Sequence, residues 1–168
     1  MNASCTLQLF ANGAWCDVGS VSLLGPEAQG WRSKTYTGYS VEWAIEHGGA
    51  RDAHAFACRF PVGLQAFEHP HWPVFLIDML PQGFGREELL RRLALSVTAG
   101  ESVDWRLLLA GAGNSVGNLR VKEAASWLAA NAGPLRGFTD DEVAERGDDF
   151  AEFLASHGLF VAGSSGVQ

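Results

Sequence analysis

The stretch WPVFLIDMLPQGFGREELLRRLALSVTAGESVDWRLLLAGAGNSVGNLRV, residues 72–121, decides how the rest of the chain is read. The apolar run 74–77 enters Asp78-Met79-Leu80-Pro81 and turns through Gln82-Gly83-Phe84-Gly85. Over 86–95 the spacing of Leu89, Leu90 and Leu93 puts three apolar side chains on one face, which predicts a helix docked on a core. Ser102 or Asp104 is placed to cap a second short helix over 105–110, and Gly111-Ala112-Gly113 supplies its stop. A strand over 118–121 follows the glycine-rich turn. Helices returning to a strand predict an α+β globular domain.

Upstream, the signals are those of a small antiparallel sheet. Thr6-Leu7-Gln8-Leu9-Phe10 is β-prone, Ala11-Asn12-Gly13 is a hairpin turn, and 15–18 is the return strand. A third strand is expected over 19–24, stopped by Gly25-Pro26, and further strands over 32–39 and 56–60. Residues 40–47 predict a two-turn helix capped by Ser40 and stopped at Gly48-Gly49. Downstream, 122–131 predicts a helix with Trp127 and Leu128 inward, closed by Gly133-Pro134. Thr139 and Glu142 form a capping box flanked by Phe138 and Val143. A further helix over 148–157 precedes a short apolar strand, 159–162. The division expected is a β-rich subdomain over 1–71, a helical and strand segment over 72–121, and helices leading into a glycine-rich loop over 122–168.

With 168 residues, 47% of them apolar and 18% charged, the chain can bury a proper core and is not a disordered segment. Six Trp and ten Phe are a generous aromatic supply, read first as core, with a partner-facing surface for some of them as the less usual reading. The net charge of −7 argues against direct nucleic-acid binding, which needs clustered Lys and Arg. Arg86, Arg91 and Arg92, mixed with Glu87 and Glu88, are expected to form a solvated face. Three widely spaced cysteines, no signal-peptide pattern and no apolar run of membrane-spanning length predict a cytoplasmic protein with reduced thiols.

Few residues suggest chemistry. His69-Pro70-His71 lacks the accompanying Cys or acids of a metal site, so an ordinary turn is expected. Asp78, inside an apolar run, is expected to be a structural carboxylate capping the turn into 81–85. In 111–117 the order is helix, glycines, strand, whereas a phosphate loop runs from strand to helix, so this segment is read as a helix stop and tight turn. The terminal Gly163-Ser164-Ser165-Gly166-Val167-Gln168 follows a strand and has the small residues that let backbone N–H groups converge on a phosphate. It is neither a Walker A loop nor a nucleophile elbow, because it lacks Gly-Lys-Ser/Thr and has Val167 where the elbow requires glycine.

Taken together, the central stretch and the terminal loop resemble the N-terminal part of HipA-type serine/threonine kinases, the toxins of bacterial toxin–antitoxin pairs. The residues that carry the resemblance are Phe75 to Gly83 (with Asp78, Met79, Leu80 and Pro81), Arg86, the 89–92 run, and Asn114-Ser115-Val116-Gly117-Asn118-Leu119. The resemblance implies that the sheet and helices end at the first strand of a kinase-like core. It further implies that Gly163, Ser164, Ser165, Gly166, Val167 and Gln168 lie over the phosphates of ATP, with Mg²⁺ bound in the full kinase, and that Ser164 or Ser165 is autophosphorylated. Phosphate there would add about two negative charges beside those of ATP and so inhibit.

The lysine, catalytic aspartate and metal-binding acids of such kinases have no counterpart in these residues, so no catalysis is expected from this chain alone. The chain is expected to be a severed front portion that docks on the remaining kinase core, with a helix-turn-helix antitoxin as a possible partner. The alternative is a stand-alone inhibitor module that binds a separate HipA-like kinase. A hydrolase using Ser164 or Ser165 lacks a matching His and acid signature.

Overall fold

Asn12 and Gly13 both have positive φ, 51° and 80°, which is the backbone a two-residue hairpin turn of right-handed twist requires. The turn joins β1 (Ser4–Ala11) to β2 (Ala14–Leu23) in a computed structural model that describes residues 3–131. The expected third strand over 19–24 is the continuation of β2. The pairing jumps from Gln8 opposite Asp17 to Leu7 opposite Gly19, so Val18 is the extra residue of a bulge. Without it, strict alternation would send Val18 and Val21 to opposite faces; with it both are fully buried.

Three more strands complete an antiparallel sheet of order β4-β3-β2-β1-β5, where β3 is Thr35–Tyr39, β4 is Phe67–His69 and β5 is Leu119–Val121. The fold is α+β. A 3₁₀ segment, Glu27–Arg32, broken at Gly30 (φ 57°), occupies the connection before β3, so that strand starts later than residue 32. Ser40 does cap α1 (Val41–Glu46), its hydroxyl accepting from the Trp43 N–H at 3.2 Å.

Residues 56–60 are not a strand. Their backbone is taken up locally: the Tyr39 hydroxyl accepts from the Phe56 N–H at 2.8 Å and donates to the Phe60 carbonyl at 2.6 Å. Burial pushes the Tyr39 phenol up to about 12, against the opposing effect of the Phe56 N–H hydrogen bond. The aromatic run of that segment is used as core filler: Phe56 stacks on Tyr39 at 3.9 Å, and Phe60 meets Phe67 and Phe75 at 5.0 and 5.2 Å.

The inner face of the sheet, Cys5, Leu7, Leu9, Val21 and Val121, is covered by helices. These are α2 (Val74–Asp78), α3 (Gly83–Arg92), α4 (Asp104–Gly111) and α5 (Lys122–Asn131). Segments 3–71 and 72–131 thus contribute to one core, in which Trp72 meets Trp105 edge-on at 5.5 Å. Helix α4 is the hinge of the packing. Trp105 and Leu108 face the sheet core, while Leu107 and Ala110 join Leu89 of α3 in a second cluster. In α5 the side chain turned fully inward is Ala124; Trp127 and Leu128 are half-buried, Trp127 against the second cluster. Gly113 makes room for α5, since a Cβ there would strike backbone atoms of Ala124 and Ala125.

One edge of the sheet is closed by a side chain. β5 pairs only with Leu7 to Leu9 of β1, and the neighbouring Thr6 N–H donates to both carboxylate oxygens of Glu123 at 3.0 Å. Burial, with the same carboxylate adding to it, pushes the Cys5 thiol upward, so Cys5 is an inert core residue.

Because α4 serves two clusters, Leu107→Ala and Leu108→Ala should each cost about 2–5 kcal/mol in urea unfolding, the range for fully buried leucines. Both side chains have 0% exposure. A loss below about 1 kcal/mol at either position would contradict this packing.

Candidate functional site

The terminal loop expected to lie over phosphates, Gly163, Ser164, Ser165, Gly166, Val167 and Gln168, lies outside the described residues, as do the capping box at Thr139, the helix over 148–157 and the strand over 159–162. What the structure does place are the other polar candidates, and it moves several of them.

Asp78 is exposed at the end of α2 and does not cap the following turn; the N-cap of α3 is Gln82, without a side-chain bond. The reason is periodicity: 74–78 is helical, and Leu76, Met79 and Leu80 take the inward positions, leaving Asp78 outside. His69 and His71 part company. The His69 ring packs 5.3 Å from Phe60, while His71 Nδ1 lies 3.0 Å from the Trp72 carbonyl. No group of three metal-ligating side chains occurs among the described residues. The glycine-rich turn 112–118 is structural. Gly117 has φ +110°, the Ser115 hydroxyl donates to the Leu119 carbonyl at 2.9 Å, and Asn118 donates its amide to the Ala53 carbonyl at 2.7 Å. Phe10 N–H then donates to the Asn118 carbonyl at 2.8 Å, which lays β5 onto β1.

The charged face expected on α3 is not simply solvated. Glu88 is buried, 6% exposed, and gathers two arginines: Arg91 through Nε at 2.8 Å and a terminal nitrogen at 2.6 Å, and Arg92 through Nε at 2.6 Å. The Arg91 hydrogen bond, with Arg92 adding to it, holds the Glu88 carboxyl down at about 2 against an opposing effect of burial. Arg86 reaches instead to α4, donating to Asp104 at 2.9 Å. Asp104 is itself buried, and its N–H donates to the Ser102 hydroxyl at 3.1 Å; the N-cap position of α4, however, is Val103, one residue after Ser102, and has no side-chain bond. Gly30 of the 3₁₀ segment abuts Ser102 and Asp104 so closely that no side chain fits there. This is a structural node joining α3, α4 and the 3₁₀ segment.

A polar row on the outer face of the sheet had no signal in the sequence. Side chains of alternate residues point outward, and the pairing sets Arg120 opposite Gln8 and Gln8 opposite Asp17. Gln8 is satisfied on both sides: its amide donates to Asp17 at 2.6 Å and its carbonyl accepts from Arg120 Nε at 2.8 Å. Lys122 donates to the other Asp17 oxygen at 2.5 Å. The Lys122 and Gln8 hydrogen bonds hold the Asp17 carboxyl below its ordinary value. Arg120 crosses β1 to lie 4.0 Å over the Trp15 ring, which Phe10 meets edge-on at 5.4 Å. Each of these residues is ordinary alone; only strand register brings them together.

No family model, curated protein or solved structure matches this chain. No helix among the described residues is long and apolar enough to cross a membrane.

The Glu88 cluster sets an acid limit on stability. A depressed carboxyl contributes stability that is present above its ordinary value of 4.5 and lost as pH falls towards about 2. With Arg91 largely in solvent, the contribution is on the order of 2 kcal/mol. Urea unfolding from neutral pH down to pH of about 2 should show the wild type losing stability through this window more steeply than Glu88→Gln. Parallel curves for the two proteins would contradict the assignment.

Proposed function

We propose that the chain is the N-terminal part of a HipA-like serine/threonine protein kinase, carrying no catalysis of its own. The observation that supports this best is the order of motif segments, from Phe75 through Asp78, Pro81 and Gly83 to Arg86, then Asn114 to Leu119. These occupy a continuous course of α2, α3, α4 and β5 built onto the small sheet. In this reading the kinase core, in the same polypeptide or another, supplies the groups that hold ATP and Mg²⁺. Gly163, Ser164, Ser165, Gly166, Val167 and Gln168 then cover the ATP phosphates, and phosphorylation of Ser164 or Ser165 silences the enzyme by charge repulsion. A cytoplasmic location and a helix-turn-helix antitoxin as partner belong to the same reading.

A stand-alone inhibitor that docks on a separate HipA-like kinase is favoured by one feature, the apolar side chains left outside on α1. Val41 and Ile45, one helical turn apart, are 57% and 74% exposed. Intact-mass measurement of the native gene product, followed by incubation with ATP and Mg²⁺ and mapping of phosphorylated residues, separates the two. The kinase reading expects a product heavier than 18.0 kDa that acquires phosphate on Ser164 or Ser165, while the 168-residue chain alone turns over no ATP. A native product of 18.0 kDa that binds and inhibits a separate kinase establishes the alternative. ATP turnover by the isolated chain defeats both.

A further inference from the structure

Among the described residues, four buried side-chain polar atoms have no hydrogen-bond partner: Ser33 Oγ, Thr37 Oγ1, His69 Nε2 and Trp72 Nε1. Strand register brings two of them together. Thr35 pairs with His69 and Thr37 with Phe67, so Thr37 and His69 are diagonal neighbours across β3 and β4. Diagonal pairs stand about 7–8 Å apart at Cα, with their side chains closer. Alternation puts all four side chains on one face of the sheet. It is the inner face: Thr35 and Thr37 are fully buried, and the Phe60 ring lies 5.3 Å from that of His69 and 5.0 Å from that of Phe67.

Buried polar groups are ordinarily paired, and leaving one unmatched costs its lost hydration. Two such atoms beside each other on one seam point to a shared partner. A third group stands with them. The Thr35 hydroxyl, directly opposite His69, donates to the His71 carbonyl at 3.0 Å, which leaves its oxygen able to accept. The seam thus offers a hydroxyl that accepts, a hydroxyl free to donate or accept, and one imidazole nitrogen.

We propose that a single internal water molecule is bound beneath the β3–β4 edge by Thr35 Oγ1, Thr37 Oγ1 and His69 Nε2. Water meets this set with either tautomer of His69. Where Nε2 is bare, the water donates to Nε2 and to Thr35 and accepts from Thr37. Where Nε2 carries the proton, the water accepts from it and donates to both hydroxyls. Three hydrogen bonds, about the usual number for a buried water, are made in each case. A metal ion fits poorly, since one imidazole and two neutral hydroxyls do not make a zinc ligand set. A larger ligand would have to displace Phe60, which packs on both Phe67 and His69. The site is independent of whether the chain belongs to a kinase.

Two measurements on the full chain test this. A crystal structure that resolves ordered water should show one peak about 2.7–3.2 Å from both Thr37 Oγ1 and His69 Nε2. In solution, oxygen-17 relaxation dispersion of water counts long-lived internal waters without interference from exchanging hydroxyl protons. A chain of this size holds several, about one per 27 residues, so each variant is read against the wild type. Thr37→Val, similar in shape but lacking the hydroxyl, should lower the dispersion amplitude by the share of about one water, and Thr37→Ser should retain it. Should Thr37→Val fail to fold, the wild-type crystal structure decides alone. The proposal is overturned if Thr37 and His69 bond each other directly in the crystal, if the space between them is dry, or if folded Thr37→Val keeps the full amplitude.

Discussion

Everything in this fold depends on burying one eight-residue helix on two sides. Helix α4 places Trp105 and Leu108 on the sheet and Leu107 and Ala110 on α3, and these side chains are almost wholly removed from water. So short a helix is unstable alone, and its backbone is held by what surrounds it. At its N-terminus Ser102 and the Arg86–Asp104 pair fix the first turn. At its C-terminus Ala112 N–H closes on the Leu108 carbonyl, and the Ala112 carbonyl in turn accepts from Val121 of β5. The helix is thereby tied by hydrogen bonds to the sheet it packs on. Gly30 and Gly113 are small because α4 and its continuation are approached on both flanks by backbone.

Much of this was legible in the sequence, and the reasons are local. Asn12-Gly13 announces a hairpin because only residues tolerant of positive φ suit its turn, and Ser40 announces a helix because its hydroxyl can reach the Trp43 N–H. The helices over 105–110 and 122–131 follow from spacing and glycine stops. Where local signals misled, the cause lies in tertiary structure. The break in alternation at Val18 suggests two strands, yet it is a bulge that keeps one strand in phase with the core. The Phe-rich run 56–60 has strand composition, but the Tyr39 hydroxyl satisfies its backbone and the rings fill the core from a loop. Composition records that a residue will be buried; it does not record which backbone will carry it there.

The polar sites divide in the same way. The charged run on α3 looks solvated in sequence because acids and arginines are mixed over 86–92, and nothing local reveals that the Glu88 carboxylate is turned inward to collect Arg91 and Arg92. Asp78 shows the reverse: apolar neighbours suggested a buried acid, but helical periodicity turns it out. Gln8, Asp17 and Arg120 lie on three different strands, and Trp15 and Lys122 join them only through register. A site assembled across strands leaves no spacing to detect. The resemblance to the HipA-type kinases is of another kind, a matter of segment order, and the residues on which its chemistry would turn fall beyond residue 131.

The Glu123 carboxylate on the Thr6 N–H has a consequence for how copies of the chain meet in solution. A strand end with free N–H groups is a template on which another polypeptide can grow, and here the first donor past β5 is already consumed by an acid of the chain itself. The sheet's other border is the three-residue β4, bounded by Pro70 and crossed by the Lys34–Glu68 pair, which is too brief to seed a ladder. Among the described residues, both borders of the sheet therefore offer little template for strand addition by another copy.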